Sequence, residues 1–411
     1  MSQPNQVKKL LATSPLMANK SSAEDDFRES LKAADPCIDE CLLWPVDELP
    51  MGDIARSITA TEQPESSLIA ALARAAVAAA QEGAKCRTEL EAPDYEQSKR
   101  SVDAAATLAA EDILDSLHLG LVVRAGEGER DSSAGAVLGQ KFGDTSTASV
   151  GAVIDYVDGT GLVACGLPNA LALGATADEI IAIPDVTVFA VLAPRSVVQD
   201  LDILANPYDV ADQAVSMTAA HFGRSVDQIV LLTHSPDIGA GQLWYSMLGP
   251  PSGRVIIPRP ISVEAPMMLA MSRNLEDAPH LMVGVIGLVE LMYAAIMLDI
   301  VGSELTFAYR VVGAKDIKDW FDAPGERAPV LDSAEIDRLG RASVDHRAGL
   351  RSDDAFPRGA GRMAAFFSIT GGERFGIQPP TRSSVDGLIV SKGGFVSGVT
   401  ITYRDQLGTL A

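Results

Sequence analysis

A mixed α/β (α+β) fold is predicted by three properties of the chain. Helix-like and strand-like apolar runs alternate along it. With 411 residues, 47% of them hydrophobic, it is long enough for one large core or two fused, sheet-containing lobes. It carries no internal repeat or low-complexity tract, so neither a solenoid nor a disordered polymer explains its length.

The elements read as follows. Residues 1–65 look like an N-terminal extension. Ser21-Ser-Ala-Glu-Asp-Asp-Phe-Arg-Glu-Ser is acidic and polar, and Cys41-Leu-Leu-Trp-Pro-Val and Glu48-Leu-Pro-Met are short apolar pieces between prolines. That pattern suits a partly disordered tail that docks locally or binds a protein partner. Ser66 to Gln81 is the first clear helix, its serines available as N-caps. Asp103 opens a second helical pattern through Val102, Ala105, Ala106, Ala109, Ile113 and Leu117. Strand-like runs follow at Leu119 to Val123, just before Gly126-Glu127-Gly128-Glu129, and at Val150 to Ile154, just before Asp155. Leu281 to Leu298 is apolar apart from Glu290 and reads as a buried strand and turn leading into a core helix. Residues 314–358 are charged and proline-bearing and read as an excursion from the core, with short helices near Asp316 to Phe321 and Ser333 to Leu339.

Charge and composition exclude several functions. A net charge of −22 argues against nucleic acid, because a protein that neutralises a phosphate backbone needs a basic face. An unpaired carboxylate at the centre of Leu281 to Leu298 would be costly in lipid, which argues against a membrane span. Leu10 to Met17 is too short, and broken by Pro15, to serve as a secretory apolar region. The cytoplasm is the default location, and the acid-free first 23 residues leave an organelle, plastid or mitochondrion, as the alternative. Four cysteines in such a chain are expected to stay reduced; Cys37 and Cys41 are close enough for a redox pair, but no second tight pair completes a zinc pattern. The five histidines form no ligand spacing.

The oxygen-bearing residues Asp103, Glu127, Asp155, Asp158 and Thr160 carry the functional signal. Two strand ends and a helix start can bring three of these carboxylates to one point, and hard divalent cations are held by such oxygens. Within Asp155-Tyr-Val-Asp158-Gly159-Thr160, both aspartates can face one side of a tight turn and Val157 can offer its carbonyl. Gly159 lets the backbone approach a ligand, and Thr160 can orient a metal-held water while its neighbouring N–H groups hold a phosphate. An ordinary Asp-rich turn between strands is the competing reading. For Glu290 the competing reading is a buried glutamate paired with an arginine.

The runs Lys99-Arg-Ser-Val-Asp103-Ala-Ala-Ala, Gly126-Glu-Gly-Glu-Arg-Asp131, Val153-Ile-Asp155-Tyr-Val-Asp158-Gly-Thr160 and Gly166-Leu-Pro-Asn-Ala-Leu-Ala-Leu173 together resemble class II (GlpX-type) fructose-1,6-bisphosphatases of the lithium-sensitive, metal-dependent phosphatase superfamily. The resemblance covers about residues 66 to 400 and is strongest from 99 to 175. It implies a layered α/β/α/β/α sugar-phosphatase fold, with a metal-binding N-terminal lobe over 66–205 and a C-terminal lobe over 206–411. It also implies Mg²⁺ or Mn²⁺ held by Asp103, Glu127, Asp155 and Asp158, and a catalytic group of Thr160, Asp103 and Glu127. Gly159, Thr160 and Gly161 would touch the substrate. Gly284-Val-Ile-Gly287-Leu-Val-Glu290-Leu stands where the family has a glycine-rich segment, which makes Glu290 the remaining metal-binding glutamate. Ala365-Phe-Phe-Ser-Ile-Thr-Gly-Gly372 resembles the family's late strand and turn, and the expected assembly is a homo-oligomer.

The substrate-gripping segments depart from that pattern. Ile257-Pro-Arg-Pro-Ile-Ser262 lacks the family's carboxylates, and Thr233-His-Ser-Pro236 has almost none of its basic charge. Pro184-Asp-Val-Thr-Val-Phe-Ala190 lacks its tyrosine and lysine. A second phosphate is held by Arg and Lys, so these changes argue against fructose 1,6-bisphosphate. Tyr156 also replaces a proline that would preset the metal turn. Two functions follow: a metal-dependent phosphomonoesterase that acts on a small sugar phosphate with a metal-activated water, or a catalytically inactive descendant of that fold acting as a structural or regulatory subunit.

Overall fold

The computed structural model describes residues 22–44, 63–89, 94–116, 120–128, 134–144, 149–234, 254–256, 271, 278–313, 331–342, 345, 349–371, 377–392 and 395–404. The expected segments at 1–21, 45–62, 257–262 and 316–321 lie outside these residues.

Two mixed sheets divide the chain into layers. The first has eight strands in the order β1-β14-β13-β12-β5-β4-β2-β3, and the second six in the order β11-β10-β6-β9-β7-β8. In the first sheet lie β1 (Ile38–Trp44), β2 (Gly120–Gly126), β3 (Lys141–Phe142), β4 (Ser149–Asp158) and β5 (Leu171–Ala177), together with β12 (Gly361–Ser368), β13 (Ser384–Ser391) and β14 (Phe395–Tyr403). The second holds β6 (Thr187–Pro194), β7 (Val230–His234), β8 (Arg254–Ile256), β9 (Leu281–Gly287), β10 (Leu305–Val311) and β11 (Leu350–Arg351).

Helices fill the space between and outside the sheets. On the outer face of the eight-stranded sheet lie α1 (Ser22–Ala34), α2 (Gln63–Glu89), α3 (Tyr95–Leu114) and α4 (Thr160–Cys165), where Leu68, Val102, Ile154 and Phe367 share one core. Between the two sheets runs α7 (Leu288–Ile300), whose side chains pack with Val153, Leu173 and Phe366 of one sheet and with Val188, Met282 and Phe307 of the other. The outer face of the six-stranded sheet is covered by α5 (Arg195–Asp200) and α6 (Pro207–Phe222) through Val197, Val210, Phe189 and Val283. A short α8 (Ser333–Ala342) packs Leu339 into the central core. The order is therefore helix, sheet, helix, sheet, helix, as the layered α/β expectation has it.

The local sequence accounts for these elements. A helix apolar on every side must be buried on every side, and α7 is buried from Leu288 through Ile300 apart from Glu290 and Asp299. The apolar run from Leu281 to Leu298 is thus a seven-residue strand followed by a thirteen-residue helix. Among the described residues no helix is long and apolar enough to cross a membrane. β5 and β6 are buried at every position because both of their faces are covered, and they read as continuous apolar runs.

Several expectations are corrected or extended. Asp103 does not open a helix; it lies inside α3, whose N-cap is Asp94, its side chain accepting from the backbone N–H groups of Glu96 and Gln97. Propensity alone left the cap invisible because the apolar period becomes regular only further along. The Asp155–Asp158 segment is not a turn between strands but the bulged end of β4, with a register shift against β5 between those two residues. The turn comes one residue later, at Gly159, which adopts φ 88°. The helix expected over 66–81 extends over Gln63–Glu89, and that expected over 333–339 over Ser333–Ala342. All four cysteines are free thiols.

Residues 22–44 join the first sheet directly. β1 pairs antiparallel with β14 from Ile38↔Tyr403 to Trp44↔Gly398. Just after α1, the carboxylate of Asp35, 1% exposed, is gripped by both Nε and Nη2 of Arg74 on α2. The Arg74 guanidinium lies 5.0 Å from the centre of the Tyr403 ring on β14. One arginine thus ties α1, α2 and β14 together. Arg74→Met should cost about 3–5 kcal/mol in denaturant unfolding, because it leaves Asp35 buried without its counter-charge. The Asp35→Asn/Arg74→Met double variant should recover part of that loss; two independent, additive costs would show that the pair does not act as a unit.

A carboxylate cluster as candidate metal centre

Parallel pairing places the first two carboxylates. β2 and β4 run side by side with Gly126 opposite Ile154, so Glu127 and Asp155 leave the same sheet edge next to each other. Along β4, Ala152, Ile154 and Tyr156 face the α2–α3 core, whereas Val153 faces α7. By alternation Asp155 points toward α7 as well. The third carboxylate comes from there, since Glu290 sits in the first turn of α7.

Glu127, Asp155 and Glu290 each present an oxygen, and the three oxygens lie within 4.8 Å of one another. Asp155 is buried, and its Oδ2 has no hydrogen-bond partner, while Oδ1 accepts from the Val157 N–H at 2.9 Å. Burial, then the charges of Glu127, Asp158 and Glu290, push the Asp155 carboxyl well above the usual range. The Val157 N–H opposes that rise without cancelling it. That bond is an Asx turn, and it sets the backbone where Tyr156 stands in place of a proline.

Asp103 and Asp158 stand outside this trio. Asp103, half-buried on α3, accepts from Thr160 Oγ1 at 2.8 Å, and the same hydroxyl lies 3.1 Å from the Val157 carbonyl. A hydroxyl has one proton, so the two acceptors share it and the remaining lone pairs of Thr160 Oγ1 face elsewhere. Asp103, Glu127, Asp155, Tyr156, Val157 and Thr160 line one cavity, with Thr107 and the Ala134–Ala136 loop completing its wall. Gly159 and Gly161 flank Thr160 at the rim.

Sequence reading passed over three features of this site. Thr107 is one turn beyond Asp103 on the same face of α3, a spacing of four that could have been read. The Ala134–Ala136 loop packs against Gly128, whose N–H donates to the Ala136 carbonyl at 3.0 Å; nothing in its sequence signals that. Gly287 is required by the site: a Cβ there would strike the Glu290 carboxylate. Of the segments expected to grip substrate, Thr233 is buried in β7 and Asp185 is buried just before β6.

The trio fits a hard divalent cation. Oxygens held about 2.0–2.6 Å from one ion lie a few Å apart, as these do, and a set of carboxylates alone suits Mg²⁺, Mn²⁺ or Ca²⁺ more than a soft metal. Among the described carboxylates, Glu290 has Glu127 and Asp155 as near neighbours.

The raised Asp155 carboxyl affects stability with a definite sign. Between the ordinary carboxylate range and the raised one of Asp155, the folded metal-free protein holds a proton that the unfolded chain has released. Rising pH therefore destabilises it through that window. Asp155→Asn should raise the melting temperature of the metal-free protein at neutral pH and abolish the further rise produced by Mn²⁺ in the parent chain, as followed by calorimetry. Gly287→Ala should weaken Mn²⁺ binding by about tenfold or more in calorimetric titration, since ligand displacement costs that much.

No curated protein matches the chain. The family model described as "Bacterial fructose-1,6-bisphosphatase, glpX-encoded" matches residues 66–234, a span that contains Asp103, Glu127, Asp155, Asp158 and Thr160. The same span includes the parallel β2–β4 pair that aims the first two carboxylates. The match over residues 66–234 supports kinship with the GlpX-type bacterial fructose-1,6-bisphosphatase family.

Proposed function

We propose that this protein is a divalent-cation-dependent phosphomonoesterase that hydrolyses a sugar phosphate bearing a single phosphate group. The observation that carries the reading is the convergence of Glu127, Asp155 and Glu290 around the buried, unpartnered Oδ2 of Asp155. A cation there would relieve the burial and like charge that push the Asp155 carboxyl up, and Mg²⁺ or Mn²⁺ matches the donor chemistry.

In this reading Glu127, Asp155 and Glu290 hold the ion, with Asp103 and Asp158 adding negative charge beside it. The ion supplies Lewis-acid stabilisation of charge developing on the phosphoryl and leaving oxygens. Thr160 orients the nucleophile. Its own proton is directed to Asp103, so Oγ1 can accept a hydrogen bond from an attacking water. As that water gives its proton to Oγ1, Asp103 takes the hydroxyl proton in exchange. Tyr156 and Val157 close the cavity wall and limit bulk water there.

The replaced segments at Thr233–Pro236, Pro184–Ala190 and Ile257–Ser262 favour one phosphate over two. They also support the rival reading, an inactive descendant that keeps the site as a structural or regulatory element. Phosphate release from a panel of sugar monophosphates, measured with Mn²⁺ or Mg²⁺, separates the two. Turnover that falls by about 100-fold or more in Asp155→Asn supports the enzyme. No release from any member of the panel, with no Mn²⁺-dependent rise in melting temperature, would sink it.

A further inference from the structure

One residue beyond the cavity lining, over Gly161, stands the aromatic side chain of Tyr95. On α3, Tyr95, Lys99, Asp103 and Thr107 follow at intervals of four and so share one face of the helix. Asp103 and Thr107 line the cavity, which puts Lys99 one turn and Tyr95 two turns outward from the carboxylates. The phenol end of Tyr95 lies over Gly161: a Cβ at that glycine would come within 2.5 Å of Tyr95 Oη. Gly161 follows Thr160 directly, so the ring borders the entrance.

Tyr95 is 49% exposed, an unusual state for so large an apolar surface beside a cavity. Its ring is nevertheless held. The ammonium of Lys99 stands 5.6 Å from the ring centre and is itself steadied by Glu96 at 3.7 Å. The hydroxyl end is propped on Gly161, and Asp94 caps the helix turn that carries the ring. A rigid, half-open aromatic at the mouth of a polar site is a platform on which the flat or C–H face of a ring can stack.

From this placement we infer that Tyr95 is a specificity-determining residue that selects phosphomonoesters whose alcohol carries a ring, such as a pyranose or furanose. The inference rests on the phosphomonoesterase reading above and narrows its substrate. With the phosphoryl group in the cavity, the alcohol has to leave it past the Thr160–Gly161 rim. A ring leaving there meets Tyr95, whereas an acyclic alcohol offers no face to stack. Recognition from α3 would not depend on the segments at 184–190 and 233–236, which lack the gripping residues of the resembled family.

The test compares glucose 6-phosphate with glycerol 3-phosphate on the full-length, Mn²⁺-loaded protein and on Tyr95→Ala and Tyr95→Phe, with both phosphate release and calorimetric binding as readouts. The exposed position of Tyr95 and the retained Asp94 cap leave the fold intact in both variants, which the melting temperature checks. The parent should prefer glucose 6-phosphate. In Tyr95→Ala that preference should shrink by about three- to tenfold, and Tyr95→Phe, which keeps the ring, should retain it. An unchanged ratio in Tyr95→Ala, or equal losses for both compounds, overturns the inference. Ring-selective binding without phosphate release would uphold Tyr95 while refuting catalysis. Neither binding nor release by the parent would overturn both.

Discussion

Mutual repulsion among Glu127, Asp155 and Glu290 is the constraint around which the rest of the molecule is arranged. Three carboxylate oxygens lie within 4.8 Å, and burial together with the neighbouring charges pushes the Asp155 carboxyl well up. Each of them is brought there by an element that cannot easily move away. Glu127 and Asp155 are fixed by the parallel β2–β4 ladder, and Glu290 by a helix buried on nearly every side. The packing energy of two sheets and the α7 layer is therefore used to hold together groups that would separate in its absence. Structures retain such local conflict where a ligand resolves it.

The legible parts of the fold and site are those encoded by local pattern. Strand ends before Glu127 and Asp155 could be read because short apolar runs precede each, and the strand–helix reading of Leu281 to Leu298 followed from a lone acid in an apolar run. Long-range assembly was less legible. Nothing local tells that β12, β13 and β14, from the last 51 residues, return to pair with β5 and β1, so the eight-stranded sheet draws on both ends of the chain. The same holds for Asp35 and Arg74, separated by 39 positions and joined only by tertiary packing. Asp103 reads as a helix start from sequence because an aspartate inside a helix and an N-capping aspartate look alike when the real cap, Asp94, is nine residues away in a polar segment.

The departures from the family pattern fall unevenly. At the carboxylates, where the resembled family pattern has a proline and this chain has Tyr156, the Val157 N–H bond to Asp155 Oδ1 fixes the backbone at the bulged end of β4. Tyr156 itself turns away from the trio into the α2–α3 core. On the substrate side, basic and sugar-gripping residues were replaced with no equivalent at the same positions. A shift of substrate, as proposed above, accounts for retained carboxylates beside changed substrate segments.

The position of Glu290 gives this arrangement its mechanical meaning. Glu127 and Asp155 belong to the eight-stranded sheet, but Glu290 reaches the site from a helix that begins at the last residue of β9 in the six-stranded sheet. On the reading proposed above, a cation held by all three would join the two sheets as well as serve the chemistry. The charges that repel one another where α7 meets the end of β4 would then draw the layers together. Gly287 is the hinge point of that coupling, because only a residue without a Cβ lets Glu290 fold back over the β9–α7 junction toward the first sheet. On that reading, stability and chemistry are coupled through one group of oxygens.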